Sequence, residues 1–187
     1  MTDRLYLSYW LRGFTEHNML RHFEALLGKF PFSRLWPRIL LRIYAVEISE
    51  PPLLERLFAG PEHLGALLDA AREFHHQDCA YELEAAWDIW RYEGEWKLRP
   101  APVLLTCYAP LFPSELGEQL RLDFGPDTQF LPQPEVAGSL VPIRHNIRGL
   151  LHLVEDLDAT LAVEKRQLWS ESGGNFAERL RVAVSGE

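Results

Sequence analysis

The first third of the chain alternates between strand and helix patterns. Leu5–Leu11 places apolar side chains at every second position, which is the period of a β-strand. After Gly13, apolar residues recur at three- and four-residue steps as far as Phe30, and this spacing predicts a helix with Thr15 at its start. Arg38–Ser49 carries apolar residues on both faces and is typical of a central strand. This order predicts a βαβ unit with two parallel strands.

The middle of the chain predicts helical segments followed by antiparallel strands. Leu53–Phe58 follows a pair of prolines and is interpreted as a short helical turn, and a longer helix begins at Pro61. Tyr81–Tyr92 alternates along its length, as a half-buried strand does. Two further strands are predicted at Val103–Tyr108 and Leu120–Phe124, and a proline-containing surface loop follows them.

The dipeptide Glu93-Gly94 predicts a two-residue hairpin turn. Folding the chain back at this point places Trp90 opposite Lys97, where the indole and the ammonium would form a cation–π pair. It also places Asp88 opposite Arg99 as an opposite-charge pair. The two pairs account for these side chains without assigning them a function.

The strongest helical pattern begins at Pro142. Four apolar residues recur every seven positions and predict an amphipathic helix of about 25 residues or more. They are Ile147, Val154, Leu161 and Leu168. A helix of this length either spans the sheet or offers part of its apolar stripe to another subunit. Gly173-Gly174 then interrupts the pattern, and Asn175 with Glu178 resembles a capping box for a final short helix.

These elements predict an α+β fold. The sheet is expected to be mixed and largely antiparallel, with an N-terminal βαβ unit, helices mainly on one face and a long C-terminal amphipathic helix. A length of 187 residues with 47% hydrophobic and 25% charged residues fits one globular domain, 1–187. A subdivision stays open, with a βαβα unit at 1–78 and antiparallel strands plus C-terminal helices at 79–187.

Charge and cysteine content restrict the classes of function. The net charge of −8 argues against broad nucleic-acid binding, which needs cations to neutralise phosphates. The apolar runs are far shorter than the roughly 20 residues of a membrane-spanning helix, so no membrane contact is expected. Cys79 and Cys107 form no CxxC motif, and no signal peptide is recognisable at Met1. We therefore expect a cytoplasmic protein with reduced thiols.

One short segment concentrates potential metal ligands. Its imidazoles, carboxylate and thiol would suit zinc, and they are His75, His76, Asp78 and Cys79. Adjacent histidines at a helix end point in different directions, and no second pair of ligands follows at a finger-like spacing. A small metal-dependent enzyme built on this cluster is one alternative function.

Known catalytic and nucleotide-binding motifs are missing from the sequence. It contains no HExxH, GxSxG, phosphate-binding loop or GxGxxG pattern. No complete catalytic constellation can be assembled from it, and no cofactor is predicted.

Aromatic residues on charged strands give the main indication of function. Aromatic residues make up 12% of the chain, with six tryptophans, and exposed aromatics rimmed by charges mark partner surfaces. We predict a non-enzymatic interaction or assembly module, in its simplest form a dimer through the long helix. A small-ligand-binding domain with an aromatic pocket is a second alternative. The predicted partner-binding residues are Trp90, Tyr92, Trp96, Lys97, Ile147, Val154, Leu161 and Leu168.

Overall fold

The computed structural model describes residues 3–171 together with Phe176 and Leu180. The described residues form seven strands and three α-helices. In chain order these elements are β1 (Arg4–Leu11), α1 (Met19–Lys29), β2 (Ile39–Ala45), β3 (Leu54–Phe58), α2 (Leu64–Glu73), β4 (Cys79–Tyr92), β5 (Trp96–Tyr108), β6 (Leu120–Pro126), α3 (Leu140–Thr160) and β7 (Val163–Ser170). Short 3-10 helices precede α2 at Pro61–His63 and follow β6 at Asp127–Phe130.

The seven strands form one sheet in the order β3-β2-β4-β5-β6-β1-β7. Every neighbouring pair is antiparallel, so the predicted α+β fold with a largely antiparallel sheet is confirmed. The strands β1 and β2 run in the same direction and are joined through α1. Because β4, β5 and β6 lie between them, β1 and β2 share no hydrogen bonds.

The hydrophobic core lies between one face of the sheet and the helices. Alternate strand residues such as Leu7 on β1 and Leu83 on β4 point into it, as the two-residue period of a strand requires. Phe23 of α1 and Leu150 of α3 pack into the same cluster. This cluster combines residues of the 1–78 and 79–187 segments and also contains the buried side chains of the described C-terminal residues, Phe176 and Leu180. The predicted capping box, Asn175 with Glu178, lies outside the described residues.

The first helix begins three residues later than the sequence suggested. Asn18, and not Thr15, is the residue that precedes the first turn of α1. The Asn18 side chain accepts a hydrogen bond from the Thr15 backbone N–H at 2.8 Å and donates one to the Gly13 carbonyl at 2.8 Å. These bonds hold a turn before the helix, and Gly13 permits that turn because it adopts a φ of 63°.

The long C-terminal helix is shorter than predicted. α3 ends at Thr160, and the next residues return along β1 as the edge strand β7. The prediction that Leu168 belongs to the helical stripe is therefore wrong, since Leu168 lies opposite Leu7 in the β1–β7 ladder. The free edge of β1 explains the difference. Its backbone donors and acceptors gain partners when residues 163–170 form a strand beside it and not when they continue the helix.

The segment after the double proline is also a strand and not a helical turn. β3 pairs with β2 along its whole length, and the Leu53 N–H donates to the Ile43 carbonyl at 2.7 Å. Pro51 and Pro52 favour extended backbone before this point, and five residues are too few for a stable isolated helix. The ladder with β2 therefore decides the conformation of Leu54–Phe58.

The β4–β5 hairpin has a three-residue loop, 93–95, in place of the predicted two-residue turn. Gly94 adopts a φ of 81°, the left-handed conformation that three-residue hairpin loops require. As a result, Trp90 lies opposite Leu98. The register therefore differs by one residue from the prediction, and both predicted cross-strand pairs are wrong, namely Trp90–Lys97 and Asp88–Arg99.

The hairpin extends well beyond its neighbouring strands. β2 pairs with β4 only as far as Glu84, and β6 pairs with β5 only from Leu104. The intervening residues 85–103, which we call the hairpin arm, have no sheet partner on their outer edges among the described strands. The backbone N–H and C=O groups on those edges need hydrogen-bond partners from outside the sheet, unless a proline removes the N–H.

Asn146 of α3 supplies the missing partner on the β4 edge of the hairpin arm. Its side-chain oxygen accepts the Trp90 N–H at 2.8 Å, and its amide donates to the Trp90 carbonyl at 2.9 Å. The same amide donates to the Gln129 carbonyl at 3.0 Å. One side chain thus continues the ladder and ties α3 to both the hairpin arm and the segment after β6.

Two prolines reduce the number of backbone N–H groups that need a partner on the β5 edge. The bonds of Trp90 to α3 show that its backbone faces away from β5, so the backbone of Leu98 opposite also faces outward. The next outward positions along β5 are Pro100 and Pro102, which have no N–H to satisfy. The outer edge of β5 therefore stays open without leaving donors unpaired at these two positions.

We predict that Asn146→Ala lowers the free energy of unfolding by about 2–4 kcal/mol, because three backbone groups around a side chain that is only 3% exposed lose their partners. Urea denaturation followed by circular dichroism measures this change. Gln167→Ala on the exposed surface of β7 is the control and should alter the value by about 0.5 kcal/mol or less. Equal losses in the two variants would contradict the role given to Asn146.

Candidate functional site

The three α-helices pack on one face of the sheet, and the other face, which we call the open face, carries no helix from the described residues. A line of polar side chains crosses its centre with one residue from each strand, and we call it the polar row. From β3 to β7 it consists of Glu55, Arg42, Glu82, Thr106, Arg121, Ser8 and Gln167. Aromatic residues flank the row, so the open face is both charged and aromatic.

Arg42 joins the carboxylates at one end of the polar row. Its guanidinium lies 2.9 Å from a carboxylate oxygen of Glu55, 2.9 Å from one of Glu84 and 3.6 Å from one of Glu82. The bond to Glu55 is the main reason why the pKa of Arg42 is raised above its ordinary value. Arg42 therefore stays charged and holds β3, β2 and β4 together.

Arg121 is held between two tyrosine rings at the other end of the polar row. Its guanidinium carbon lies 5.6 Å from the ring centroid of Tyr6 and 5.7 Å from that of Tyr108, which is cation–π distance. Glu118, which is buried, and Glu115 at 3.2 Å pair with its charge. Burial raises the pKa of Tyr108 to about 12, so this phenol stays protonated at neutral pH.

Glu82 is the most enclosed carboxyl of the polar row, with 8% of the residue exposed. Burial raises its pKa above the ordinary value, although the neighbouring Arg42 acts in the opposite direction. Ser8 lies in the same row, fully buried, and its hydroxyl accepts the indole N–H of Trp169 at 3.1 Å. No base among the described residues contacts Ser8, and the two arginines of the row are paired, so the residues of the row by themselves form no nucleophile–base pair.

A groove of about 440 Å³ opens on the same face beside the polar row. We call it the sheet groove, and its walls are mainly apolar. Trp36 and Leu57 form its rim and are 53% and 51% exposed. The groove is lined by Trp36, Arg38, Leu40, Leu57, Glu84, Ala85, Ala86, Pro100 and Pro102.

The rim of the sheet groove is held in place by the hairpin arm. Asp88 accepts a hydrogen bond from the Ser33 hydroxyl and another from the Arg34 N–H at 2.9 Å. The Ser33 hydroxyl in turn accepts the Trp36 N–H at 2.8 Å, and the Ser33 N–H donates to the Ala86 carbonyl at 2.7 Å. These bonds fix the segment that carries Trp36, so the groove exists before anything binds to it.

A second concave site, of about 420 Å³, lies beside the β5 edge of the hairpin arm, and we call it the hairpin cleft. It brings together three predicted partner-binding residues, Trp90, Tyr92 and Trp96. The fourth, Lys97, does not line it and pairs with Glu95 in the hairpin loop. The other lining residues are Arg4, Arg91, Pro102, Gly125, Pro126, Thr128, Gln129, Gln133 and Ile143.

The predicted helical stripe is covered by its own chain. Ile147, Val154 and Leu161 are at most 6% exposed and pack into the core, while Leu168 is half-buried on β7. None of the four offers an apolar surface along α3. Dimerisation through this stripe is therefore not available in the folded chain.

The predicted metal ligands face different surroundings. His75 is exposed, and its ring nitrogen contacts the Glu16 carbonyl oxygen, whereas Cys79 is buried. Burial raises the pKa of the Cys79 thiol, which lies 4.0 Å from a carboxylate oxygen of Asp78. Within the described part of the chain, His76 and these neighbours form no group of three side chains that could hold a metal ion.

The residues of the sheet groove were not singled out by the sequence. Leu57 and Trp36 lie on separate segments, and only the tertiary fold brings them together. One signal was present, because β2 carries a second apolar side in addition to its core-facing one. Leu40 on that side lines the groove, and Tyr44 packs with Phe112 in a small separate cluster on the open face.

Comparison of the chain with protein-family models, curated proteins and solved structures finds no match. Its function must therefore be inferred from its own residues. Among the described residues, no helix combines the length and the apolar character needed to cross a membrane.

We predict that Glu82→Gln gains stability relative to the wild type as the pH rises. The folded-state pKa of Glu82 is raised above 4.5, so its contribution to stability is complete below that pH and is lost as the pH rises through the folded-state pKa. The neutral amide has no such loss.

Urea denaturation of Glu82→Gln and wild type at several pH values between about 4 and about 7 measures this difference. Gln167→Ala, which removes no titrating group, should differ from the wild type by the same amount at every pH. A Glu82→Gln difference that stays constant or falls with rising pH would show that burial does not raise the pKa of Glu82.

Proposed function

We propose that this protein is a non-enzymatic interaction module of the cytoplasm that associates with a second copy of itself through the sheet groove. The observation that carries the proposal is an exposed tryptophan and an exposed leucine, Trp36 and Leu57, on the rim of a preformed apolar groove. Large apolar groups around a groove of this kind mark sites where another protein chain is bound.

The sheet groove favours a second copy because its charges are complementary to each other. Arg38 lies 5.6 Å from the ring centroid of Trp36 and has no carboxylate partner among the described residues. Glu84 lines the same groove, and its side chain is 48% exposed, so its carboxylate can contact a second guanidinium in addition to that of Arg42 at 2.9 Å. In a dimer with a two-fold axis, every contact between the two copies occurs twice. A pair between Arg38 of one copy and the partner's Glu84 would therefore form twice in one interface.

The fixed conformation of the groove rim also supports binding. The bonds from Asp88 and Ala86 hold the segment around Ser33 in the structure of the single chain. A rim that is ordered in advance loses less conformational entropy when it binds. β3, at the edge of the sheet next to the groove, adds a short free edge that a partner could cover.

We predict that Leu57→Asp weakens self-association at least about tenfold, because the carboxylate would lose its hydration in the interface. Size-exclusion chromatography with light scattering over a series of protein concentrations measures the dimer fraction. The matched control is Leu140→Asp, which changes a leucine with the same exposed fraction, 51%, at the start of α3.

The two variants distinguish the effect of a charge in the sheet groove from the effect of a charge added anywhere on the surface. The proposal requires that Leu140→Asp dimerises like the wild type while Leu57→Asp is monomeric at concentrations where the wild type is dimeric. A wild type that stays monomeric at all concentrations, or a dimer that both variants retain, would rule out self-association through the groove.

A further inference from the structure

The hairpin cleft is positively charged in a protein that is negative overall. Arg4 and Arg91 line it, and no aspartate or glutamate of the described part of the chain does, although the net charge is −8. Arg4 is bound to Asp123 through two of its nitrogens, at 2.8 and 3.0 Å, whereas Arg91 is exposed and has no carboxylate within ion-pair distance among the described residues. Such a cleft favours a ligand with a negative group.

Aromatic side chains form one side of the cleft. The rings of Tyr92 and Trp96 lie with centroids 5.5 Å apart at an angle of 55°, and Trp90 lies beside them with its ring edge-on to His145. Rings with free surface next to a cavity are suited to packing against a planar group. The volume of about 420 Å³ is within the range of small-molecule sites.

Among the described residues, two buried polar atoms of side chains that line the cleft have no hydrogen-bond partner. They are the indole nitrogen of Trp96, a donor, and the side-chain oxygen of Gln129, an acceptor. The amide nitrogen of Gln129 is already committed, since it donates to the Pro126 carbonyl at 3.2 Å. Buried groups of this kind are almost always paired in folded proteins, so these two side chains gain hydrogen bonds if a ligand makes them turn toward the cleft.

We propose that the hairpin cleft binds a small anion that carries a planar ring. The negative group lies at Arg91, with Arg4 beside it, and the ring packs against the aromatic side. The side chains of Trp96 and Gln129 form part of the walls around the ligand. Nucleoside monophosphates and aromatic carboxylates share this chemistry. This site is separate from the sheet groove, with which it has only Pro102 in common.

The test follows the indole signals of ¹⁵N-labelled full-length protein by NMR during titration with defined probes. The six tryptophans give six indole N–H signals, and the spectrum of Trp96→Phe identifies the one from Trp96. AMP and GMP represent the phosphate source, and indole-3-acetate represents the carboxylate source. Adenosine has the ring without the charge, and ribose 5-phosphate has the charge without the ring.

We expect at least one anionic aromatic probe to shift the Trp96 signal in a saturable way, and the class that binds identifies the source. Adenosine and ribose 5-phosphate should bind at least about tenfold more weakly than the best probe, because each lacks one half of the contacts. Arg91→Gln should weaken binding about tenfold through loss of the charge-assisted bonds. The matched control, Arg12→Gln on another exposed surface, should bind like the wild type.

Three results would overturn the proposal. No probe shifts the Trp96 signal at concentrations up to about 1 mM, which is the range of a weak small-molecule site. Alternatively, adenosine binds as tightly as AMP, which would remove the role of the charge. Finally, Arg91→Gln binds every probe as the wild type does, which would place any binding elsewhere. Arg91 is exposed and has no carboxylate partner in the part of the chain that the structure describes, so its replacement tests the site without disturbing the fold.

Discussion

The rest of the structure depends on one constraint: the backbone N–H and C=O groups at the outer edges of the long β4–β5 hairpin need hydrogen-bond partners. β4 and β5 pair with each other along their whole length, but the strands on either side cover only the lower part of the hairpin. A bare edge inside a protein leaves donors and acceptors without partners. Asn146 takes the place of a strand at Trp90, and the segment around Ser33 does so at Ala86. On the other edge, Pro100 and Pro102 remove donors instead.

Both concave sites follow from this arrangement. The segment that docks on the β4 edge carries Trp36 and becomes a wall of the sheet groove. The open β5 edge leaves space that the segment after β6 only partly fills, and this space is the hairpin cleft. Pro102 lines both sites, which shows how closely they flank the same strand. The polar row has a different role, since its arginines and carboxylates satisfy one another and hold the strands in register.

Local patterns predicted the elements well where one interaction dominates. The helical spacing up to Phe30 reflects a single buried side, and the alternation in Tyr81–Tyr92 separates the side chains that face the helices from those on the open face; α1 and β4 follow these patterns. The errors occur where long-range pairing overrides a local pattern. Leu168 keeps a seven-residue spacing from Leu161, yet the free edge of β1 draws it into a strand. The edge of β1 that pairs with β7 and the edge of β2 that pairs with β3 are both formed by distant parts of the chain. A local window of sequence therefore shows neither of them.

The candidate sites could be predicted only in part, for the same reason. Trp90, Tyr92 and Trp96 belong to one hairpin, so their aromatic character already indicated a common surface. Arg91 lies between them in sequence, but Arg4 and Gln129 reach the cleft from distant segments. The sheet groove is assembled entirely from separate segments, and no spacing rule connects Trp36 with Leu57.

The central claim is that the open face, and not α3, is the surface through which this protein associates. Amide hydrogen–deuterium exchange at low and high protein concentration tests it most directly, because a buried interface slows exchange of the amides that it covers. The claim requires slower exchange at high concentration in the segment around Trp36 and in β3, with α3 unchanged. Protection that falls on α3, or exchange that does not depend on concentration anywhere in the chain, would contradict it.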